Sequence, residues 1–405
     1  MIPSDWITGM FQLHATLIQL LLSQPMSLAA LAEAASVSLP TLRRAVKDLA
    51  DHGWIALRGQ STLTGGRPAA LYGLADSAHM VLGVHLQLPG MQLAAIDLAG
   101  SVLSARAVAG TDPLLPDDAL REITAYVQTI RAGFPERRLL GIGIATPGFT
   151  DPATGEILAI GRAPQWHHFP IKARLEGGLG LPVVVDNNVD SMAIAELRHK
   201  DLSSQQDIIY LGFDEGFKVS IFLGGKRYRG PFGNAGNIGN SVICVSPLTN
   251  GNETRQAQIL VSVSAVCQAF DAGLAQRDAV SPEQAAIQTL RDLPAKFRAI
   301  LNAAEAGDDL CADIVTDMLD ILAIVVANLL NAIQPNVFIV GGALSDLPPD
   351  LFAHFEAGVR RYLPSIVSHH LDFQRAQVRS PHLVPVGIAH AFLDQYIQAH
   401  DFYRV

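Results

Sequence analysis

The sequence predicts a two-lobed α/β body preceded by a small winged helix-turn-helix domain. Residues 11–74 show short helical patterns followed by two alternating strands, and from residue 79 onward apolar strands alternate with helices. The chain has 405 residues, of which 49% are hydrophobic and 17% charged. That length and composition suit a globular protein of two or three domains.

The first part of the chain has the pattern of three short helices. Ser27 and Ser38 are the expected N-caps of the second and third helices. Pro40 is compatible with a first helical turn, where its missing N–H would have no partner. Gly53 is expected to end the third helix. The predicted helical segments are 11–22, 27–36 and 37–55.

The segment 54–74 alternates like two strands joined by a Gly-rich tip, which is the pattern of a wing. In the preceding helix, Leu42, Val46 and Leu49 form one buried stripe and leave the basic residues outside it. Helix, turn, helix and wing in this order favour DNA binding, with a wing arginine suited to a narrow minor groove. The alternative is a small helical domain whose arginines are only solvated. The expected DNA-contacting residues are Ser38, Thr41, Arg43, Arg44, Lys47 and Arg67.

Charge is distributed unevenly along the chain. The net charge is −9, but residues 1–75 carry five basic and four acidic side chains, a net of +1, which leaves −10 for the remainder. An acidic body argues against broad nucleic-acid affinity, whereas a mildly basic head permits local DNA reading. No Asn or Gln lies on the outer face of the third helix, so the sequence predicts no operator.

The body begins with a predicted β-meander that turns at Ala99-Gly100. A buried strand over 139–148 then runs into a Gly/Pro loop, "PVVVDNN" is a second strand, and 336–346 holds another. Together with the helical patterns this indicates two α/β lobes. The predicted helices of the body are 188–198, 258–273, 281–304, 308–333 and 384–399.

Several classes of protein are disfavoured by the sequence. The N-terminus lacks a basic region followed by an apolar core, so no signal peptide is expected, and the apolar stretch 319–333 is too short to cross a bilayer. Cys244, Cys267 and Cys311 are far apart and form no CxxC pair, which argues against a disulfide framework or a cysteine-rich zinc site. A cytoplasmic protein without membrane contact is expected.

Five phrases resemble the ROK family (repressors, open reading frames and sugar kinases), which has an actin-like, ribonuclease-H-like fold. They are "GIGIATPG", "PIKARLEGGLGLPVVVDNN", "GGKRYRG", "GNAGNIG" and "NAIQPNVFIVGGALS". A winged helix ahead of such a body is similar to the xylose and N-acetylglucosamine repressor branch. The resemblance implies a head over 1–75 and a sensing and oligomerisation body over 76–405. Its first lobe would cover about 79–190 with helix 384–400, and its second lobe about 191–383.

The corner "DNNVD" differs from the family's kinases at the position of their general base. There the motif reads Asn-Asp-Ala-Asn, and the Asp is the general base that deprotonates the sugar hydroxyl. Motif matching places Asn188 at that Asp, and a carboxamide cannot take up the proton. Asp186 and Asp190 are nearby, but the alternation of side chains at a strand end is expected to point them elsewhere.

The family's phosphate loops and zinc site are also altered. His85 replaces the Asp of the first phosphate loop, and Asp214 and Glu215 in the second would repel phosphate. The family's zinc site begins at Gly-Glu-Ile-Gly-His, and here Asn237 and Asn240 stand at its Glu and His. Because amides are poor zinc ligands, no structural zinc and no cofactor are expected.

The resemblance implies that the family's sugar contacts fall mostly on amides in this chain. Amides both donate and accept hydrogen bonds, so they can hold sugar hydroxyls without chemistry. The alternative is a decayed site filled by its own side chains. The expected effector contacts are Arg162, Trp166, Asn187, Asn188, Asn237, Asn240 and Gln258.

These features together predict a non-enzymatic transcription regulator, a repressor of carbohydrate-related genes that senses a sugar-like metabolite. Such a protein is expected to form a homodimer or homotetramer and to bind double-stranded DNA at an inverted repeat. Two alternatives stay open: the same regulator switched by a protein partner, and, less favoured, a sugar kinase.

Overall fold

A computed structural model of the chain describes residues 4–60, 68–110, 114–161, 163–200, 206–244 and 254–399. It divides into two compact units, Met1–Asp201 with Val378–Val405, and Leu202–Gln377. None of the described helices is both long enough and apolar enough to cross a membrane.

The head forms the predicted winged helix-turn-helix. The Oγ of Ser27 accepts the Ala30 N–H at 3.2 Å, and Ser38 accepts the Thr41 N–H at 3.4 Å, so both predicted N-caps are confirmed. The first helix starts earlier than the expected residue 11. A short extra strand pairs with the second wing strand and makes the wing three-stranded in the order β1-β3-β2. The elements are α1 (Ser4–Ser23), β1 (Met26–Ser27), α2 (Leu28–Ala34), α3 (Leu39–Asp51), β2 (Ile55–Gln60) and β3 (Ala70–Leu74).

A five-stranded sheet organises the rest of the first unit. Its order is β10-β7-β4-β5-β6, in which the first three strands are parallel and the last three form the predicted antiparallel meander. The strands are β4 (His79–Leu86), β5 (Met91–Ile96), β6 (Val102–Val108), β7 (Arg138–Thr146) and β10 (Val183–Asn187), with a small hairpin of β8 (Phe149–Thr150) and β9 (Ile157–Ala159).

Helices cover both faces of this sheet. The C-terminal helix lies directly on the strands because glycines leave room for it: a Cβ at Gly83 would come within 1.8 Å of the Pro385 carbonyl oxygen, and one at Gly143 within 2.5 Å of the Ile388 oxygen. The helices are α4 (Pro116–Gly133), α5 (Ile171–Leu179), α6 (Asn188–Lys200) and α14 (Leu383–Gln398).

The second unit contains another five-stranded mixed sheet, in the order β13-β12-β11-β16-β17. Its strands are β11 (Ile208–Phe213), β12 (Phe217–Leu223), β13 (Lys226–Tyr228), β16 (Val337–Gly342) and β17 (Asp372–Arg375), beside a hairpin of β14 (Val242–Cys244) and β15 (Thr254–Gln256). Its helices are α7 (Ala257–Leu260), α8 (Val263–Leu274), α9 (Pro282–Thr289), α10 (Leu293–Glu305), α11 (Asp309–Ile333), α12 (Pro349–Arg361) and α13 (Ser365–His370).

Two long helices predicted for this unit are each broken. The expected helix 281–304 is two helices, because Asp292 caps a new one by accepting the Ala295 N–H at 2.9 Å. The expected helix 258–273 is interrupted in the same way at Ser262, which accepts the Ala265 N–H at 3.1 Å. Side-chain caps inside the expected helical segments therefore overrode the helical periodicity.

The boundary between the units also differs from the expected lobes. Helix α6, most of which the sequence assigned to the second lobe, belongs to the first unit, and the chain returns to that unit at Val378 rather than at residue 384. Helix α6 packs closely on α14, since a Cβ at Gly387 would lie 1.8 Å from the Ser191 oxygen. That backbone contact explains why α6 and α14 belong together.

Candidate DNA interface and effector site

Helix α3 presents a basic face. Its apolar side, formed by Leu42, Ala45, Val46 and Leu49, is buried in the head. The opposite side leaves three cationic side chains exposed and close together at helical spacing. These residues are Arg43, Arg44 and Lys47.

The two predicted hydroxyl contacts of the head lie at the N-terminus of this helix. Ser38 Oγ and Thr41 Oγ1 are 2.9 Å apart and share a hydrogen bond, and Ser38 also caps the helix. Their side-chain oxygens therefore already stabilise the helix start.

The described part of the wing is tied to the start of the body. Arg67 lies outside the described residues. Arg58, on strand β2, hydrogen-bonds to Asp76 Oδ2 at 2.6 Å and thereby ties the wing to the start of the body. This hydrogen bond is the largest cause of the lowered pKa of Asp76.

The head is anchored on the sheet of the first unit by a contact that sequence reasoning missed. Trp54 is 1% exposed, and its ring centroid lies 4.8 Å from that of His79 on β4 and 6.1 Å from that of Tyr396 on α14. His79 Nε2 also hydrogen-bonds to the His52 carbonyl at 2.9 Å. Gly53 adopts φ +72°, and a Cβ there would meet Ala78 at 2.4 Å. A tryptophan immediately after the third helix was the only sequence signal of this contact.

The corner between β10 and α6 is built around Asn187. This residue is buried; its Oδ1 accepts the Val189 N–H at 2.9 Å, and its Nδ2 donates to the Gly148 carbonyl at 3.2 Å. Its amide therefore holds the start of α6 to the loop after β7. Asn187 supports the corner, although the sequence predicted a direct effector contact.

Asn188 is the residue of the corner that stays available. It is half-buried, is the first residue of α6, and its side-chain amide has no hydrogen-bond partner in the described part of the chain. The neighbouring Asp186 is buried, and its Oδ1 accepts the Asn187 N–H at 2.9 Å. The kinase-like corner thus presents a carboxamide where the family's kinases carry their base.

Trp166 is a core residue and not a surface for an effector. It is 0% exposed, its Nε1 donates to the Leu114 carbonyl at 2.9 Å, and its ring meets Phe169 edge-on at 5.5 Å. The expected effector contact by Trp166 is therefore corrected, because full burial leaves the ring no accessible surface. Arg162 lies outside the described residues.

In the second unit, two of the three predicted amides come together. Gln258 Nε2 donates to Asn240 Oδ1 at 2.9 Å, and Asn240 is exposed. Asn237 begins the short turn that carries Asn240, and its Nδ2 donates to the Asn234 carbonyl at 2.7 Å. The turn approaches the sheet closely, since a Cβ at Gly236 would lie 2.0 Å from the Val219 oxygen. This unit therefore offers a small cluster of amides around Asn240.

The positions of the family's phosphate loops are unsuited to phosphate. His85 is buried, its Nδ1 has no hydrogen-bond partner among the described residues, and burial lowers its pKa to about 4. A neutral imidazole carries no charge to attract an anion. In the other loop, burial and then the charge of Glu215 raise the pKa of Asp214 to about 7.

The glycine pair at the end of β16 has a packing role. A Cβ at Gly341 would lie 2.0 Å from Tyr210 Oη, and one at Gly342, where φ is +65°, would lie 2.2 Å from the Phe213 oxygen. The tight turn from strand to helix alone accounts for both glycines.

The residues that the structure describes contain no group of three His, Cys, Asp or Glu side chains placed to hold a metal ion. Asn237 and Asn240, which match the start of the family's zinc motif, carry amides that hydrogen-bond to protein atoms. Residues 245–253, where the family's cysteine run would fall, lie outside the described residues.

A comparison against known families matches the body of the chain. The model of the ROK family matches residues 82–382, and the chain belongs to that family. The resemblance inferred from the five motifs is thereby confirmed.

Relatives include both regulators and enzymes. A putative xylose repressor of Caldicellulosiruptor sp. (strain Rt8B.4) is 24% identical over 324 residues, which cover 77% of each chain. A glucokinase of Halalkalibacterium halodurans is 28% identical over 234 residues, 54% of this chain and 67% of that enzyme.

A solved structure supports the whole architecture, head included. A ROK family transcriptional regulator, a homolog of the E. coli MLC protein, superimposes with a TM-score of 0.75 at 19% identity, covering 96% of this chain and 98% of that one. The predicted fold, a ROK body preceded by an N-terminal winged helix-turn-helix domain, is confirmed.

Proposed function

We propose that this protein is a DNA-binding transcription regulator, a repressor whose body senses a sugar-like metabolite without catalysis. The observation that carries the proposal is the exposed basic face of α3, with Arg43, Arg44 and Lys47, on a winged helix. The similarity to a xylose repressor across 77% of each chain supports the same class of function.

The chemistry of the corner favours sensing over phosphorylation. Asn188 cannot serve as a general base, His85 is neutral, and Asp214 is an acid in the place of a phosphate loop. A sugar bound at the corner would meet the carboxamide of Asn188 at the position where the family's kinases carry their base. The kinase alternative is therefore disfavoured.

Arg162, which lies outside the described residues, stays a predicted effector contact. So do Asn188 in the first unit and, as a separate cluster, Asn240 with Gln258 in the second. Each of these last three carries a carboxamide that donates and accepts, which matches the mixed hydrogen-bonding of a sugar hydroxyl. Asn187 and Asn237 hold the backbone that positions these residues.

Helix α14 gives the effector corner a physical connection to the head. At one side it meets α6, where Ser191 Oγ donates to the Asn187 carbonyl at 3.0 Å and the Ser191 backbone touches Gly387. At its other end Tyr396 packs on Trp54 of the head. An effector that shifts α6 would therefore displace the helix that supports the DNA-binding domain, and would favour one of two states by differential binding.

The proposal is tested by selecting duplexes from a random library with the full-length protein and measuring their affinity by fluorescence anisotropy. Recovery of one sequence as an inverted repeat, bound at least about 10³-fold tighter than random DNA, is expected for a dimer. If no duplex is enriched and no duplex binds more tightly than random DNA, the protein is not a sequence-specific regulator.

The effector is tested on the selected duplex with xylose, glucose, N-acetylglucosamine and their phosphates. We expect one of them to release DNA, and Asn188→Ala and Asn240→Ala to weaken that release. If no sugar acts but a cellular protein releases the DNA, the regulator is switched by a protein partner.

A further inference from the structure

The N-terminus of helix α3 has an apolar tip. Leu39, the first residue of the helix, is 43% exposed, and the adjacent Pro40 is exposed as well. Among the head residues 9–22, 24–60 and 68–75, Leu57 on strand β2 of the wing is the other exposed large apolar side chain. Leu39 is thus set apart from the basic surface that continues along α3.

The polar side chains at this tip are already engaged. Ser38 Oγ accepts the Thr41 N–H, and the two hydroxyl oxygens lie 2.9 Å apart in a shared hydrogen bond. Pro40 has no N–H to donate. The tip therefore offers hydrocarbon, held rigidly by the cap, where many recognition helices offer an amide or a hydroxyl.

In helix-turn-helix proteins the N-terminal residues of the motif's second helix contact base edges in the major groove. In this chain that helix is α3. Of the four bases, thymine alone presents an apolar group there, its C5-methyl. We propose that Leu39 selects thymine by packing against this methyl group, which makes it a specificity-determining residue. The inference rests on the proposed DNA-binding function and specifies how α3 reads its site.

The experiment uses duplexes selected by the full-length protein and replaces each thymine in turn with deoxyuridine, which removes only the methyl group. We expect one thymine in each half-site at which the replacement weakens binding about fourfold, the loss for one buried methyl-sized group at about 0.8 kcal/mol. Leu39→Ala should bind the unmodified duplex about fourfold more weakly and should no longer distinguish thymine from deoxyuridine there.

Two further variants separate this contact from general effects. Leu57→Ala removes the other exposed leucine of the head and should keep the full deoxyuridine penalty. Leu39→Met keeps an apolar tip and should retain most of the preference for thymine. Since Leu39 and Leu57 are both exposed, all three variants should melt at the temperature of the parent protein.

The outcomes distinguish the inference from the function on which it rests. If the parent protein selects a duplex but tolerates deoxyuridine everywhere, or if Leu39→Ala keeps the penalty, methyl recognition by Leu39 is wrong while DNA binding stands. If the parent protein enriches no duplex at all, both the proposed function and this inference fail.

Discussion

The indole of Trp54 and the imidazole of His79 lie 4.8 Å apart, ring centroid to ring centroid, and join the end of the DNA-binding head to the first strand of the body's sheet. The head is therefore not a loosely tethered module. It shares one hydrophobic cluster with the sheet and with α14, which includes Trp54, Val81 and Phe392.

Trp54→Ala should lower the free energy of unfolding by about 3–5 kcal/mol, because it opens a large cavity in this shared cluster. It should also weaken DNA binding, since the head loses its support. Urea denaturation and anisotropy measure the two effects. Phe232→Ala is the matched control: Phe232 is 82% exposed, and its removal should change stability by less than about 0.5 kcal/mol. Equal stability of both variants would contradict the anchoring role of Trp54.

Arg44→Ala combined with Lys47→Ala should weaken DNA binding and reduce its dependence on salt. Each phosphate contact that is lost lowers the slope of log K against log salt by about 0.9, because one fewer counterion is released. The measurement is anisotropy between low and physiological salt. Lys226→Ala with Arg291→Ala removes the same charge from exposed sites of the second unit and should leave the slope unchanged. An unaltered slope in the α3 variant would remove both residues from the interface.

His85 should make the first unit sensitive to acid. Burial lowers its pKa from 6.5 to about 4, so the unfolded chain takes up the proton first as the pH falls. The stability is fully present above about pH 6.5 and decreases toward pH 4, by about 3 kcal/mol for this group. Burial also lowers the pKa values of His14, His79 and His390, which act in the same direction.

His85→Leu should therefore flatten the pH dependence of the unfolding free energy between pH 6.5 and 4. The reason is that the variant takes up about one proton fewer than the parent protein when it unfolds in this range. Replacing the exposed His369 with Asn serves as the control and should leave the dependence as it is. Identical curves for the parent protein and His85→Leu would show that His85 takes no part.

Asp214 should make the second unit less stable as the pH rises, which is the opposite of the pH dependence expected from His85. Its raised pKa, about 7, means that the folded state keeps the carboxyl protonated while the unfolded chain has lost the proton. The stability is present below about pH 4 and decreases as the pH rises to 7. Asp214→Asn should thus raise the melting temperature at pH 8 and have little effect at pH 4. Asp278→Asn, at an exposed position, should raise it at neither pH.

Much of the fold followed from the sequence because periodicity reports which face of an element is buried. The N-caps Ser27 and Ser38 were predictable, since each directly precedes an apolar helical pattern. The break at Ser262 was missed because a capping residue inside a helical pattern changes no periodicity. The break at Asp292 had a sequence signal in Pro294, which lies in the first turn of the new helix.

The site was predicted less completely, because motif matching places a residue without showing what its side chain contacts. Trp166 and Asn187 both stand at motif positions, yet one lies in the core and the other binds backbone. The contact of Trp54 with His79 depends on the tertiary packing of the head on the sheet and could not be read from local pattern. The absence of a base at Asn188, by contrast, was evident from residue identity alone.

Asn188→Asp should not convert the protein into a sugar kinase. A restored base could contribute about 10²–10⁴-fold to such a reaction, but phosphoryl transfer depends chiefly on positioning and on neutralising the phosphates. Here His85 is neutral and the second loop carries two carboxyl side chains, Asp214 and Glu215, so the positions of both phosphate loops remain unsuited to ATP. The same substitution should instead weaken the response to a sugar effector, because a carboxylate accepts hydrogen bonds but no longer donates one.

Coupled assays with ATP and xylose, glucose or N-acetylglucosamine measure the first effect, and effector-induced DNA release measures the second. Asn302→Asp, a change of the same kind at an exposed position of α10 outside the predicted effector contacts, is the control and should leave DNA release intact. Sugar phosphorylation by the Asn188→Asp protein would show that the phosphate site is functional and would revive the kinase alternative. An unchanged effector response would remove Asn188 from the effector site while leaving DNA recognition by α3 in place.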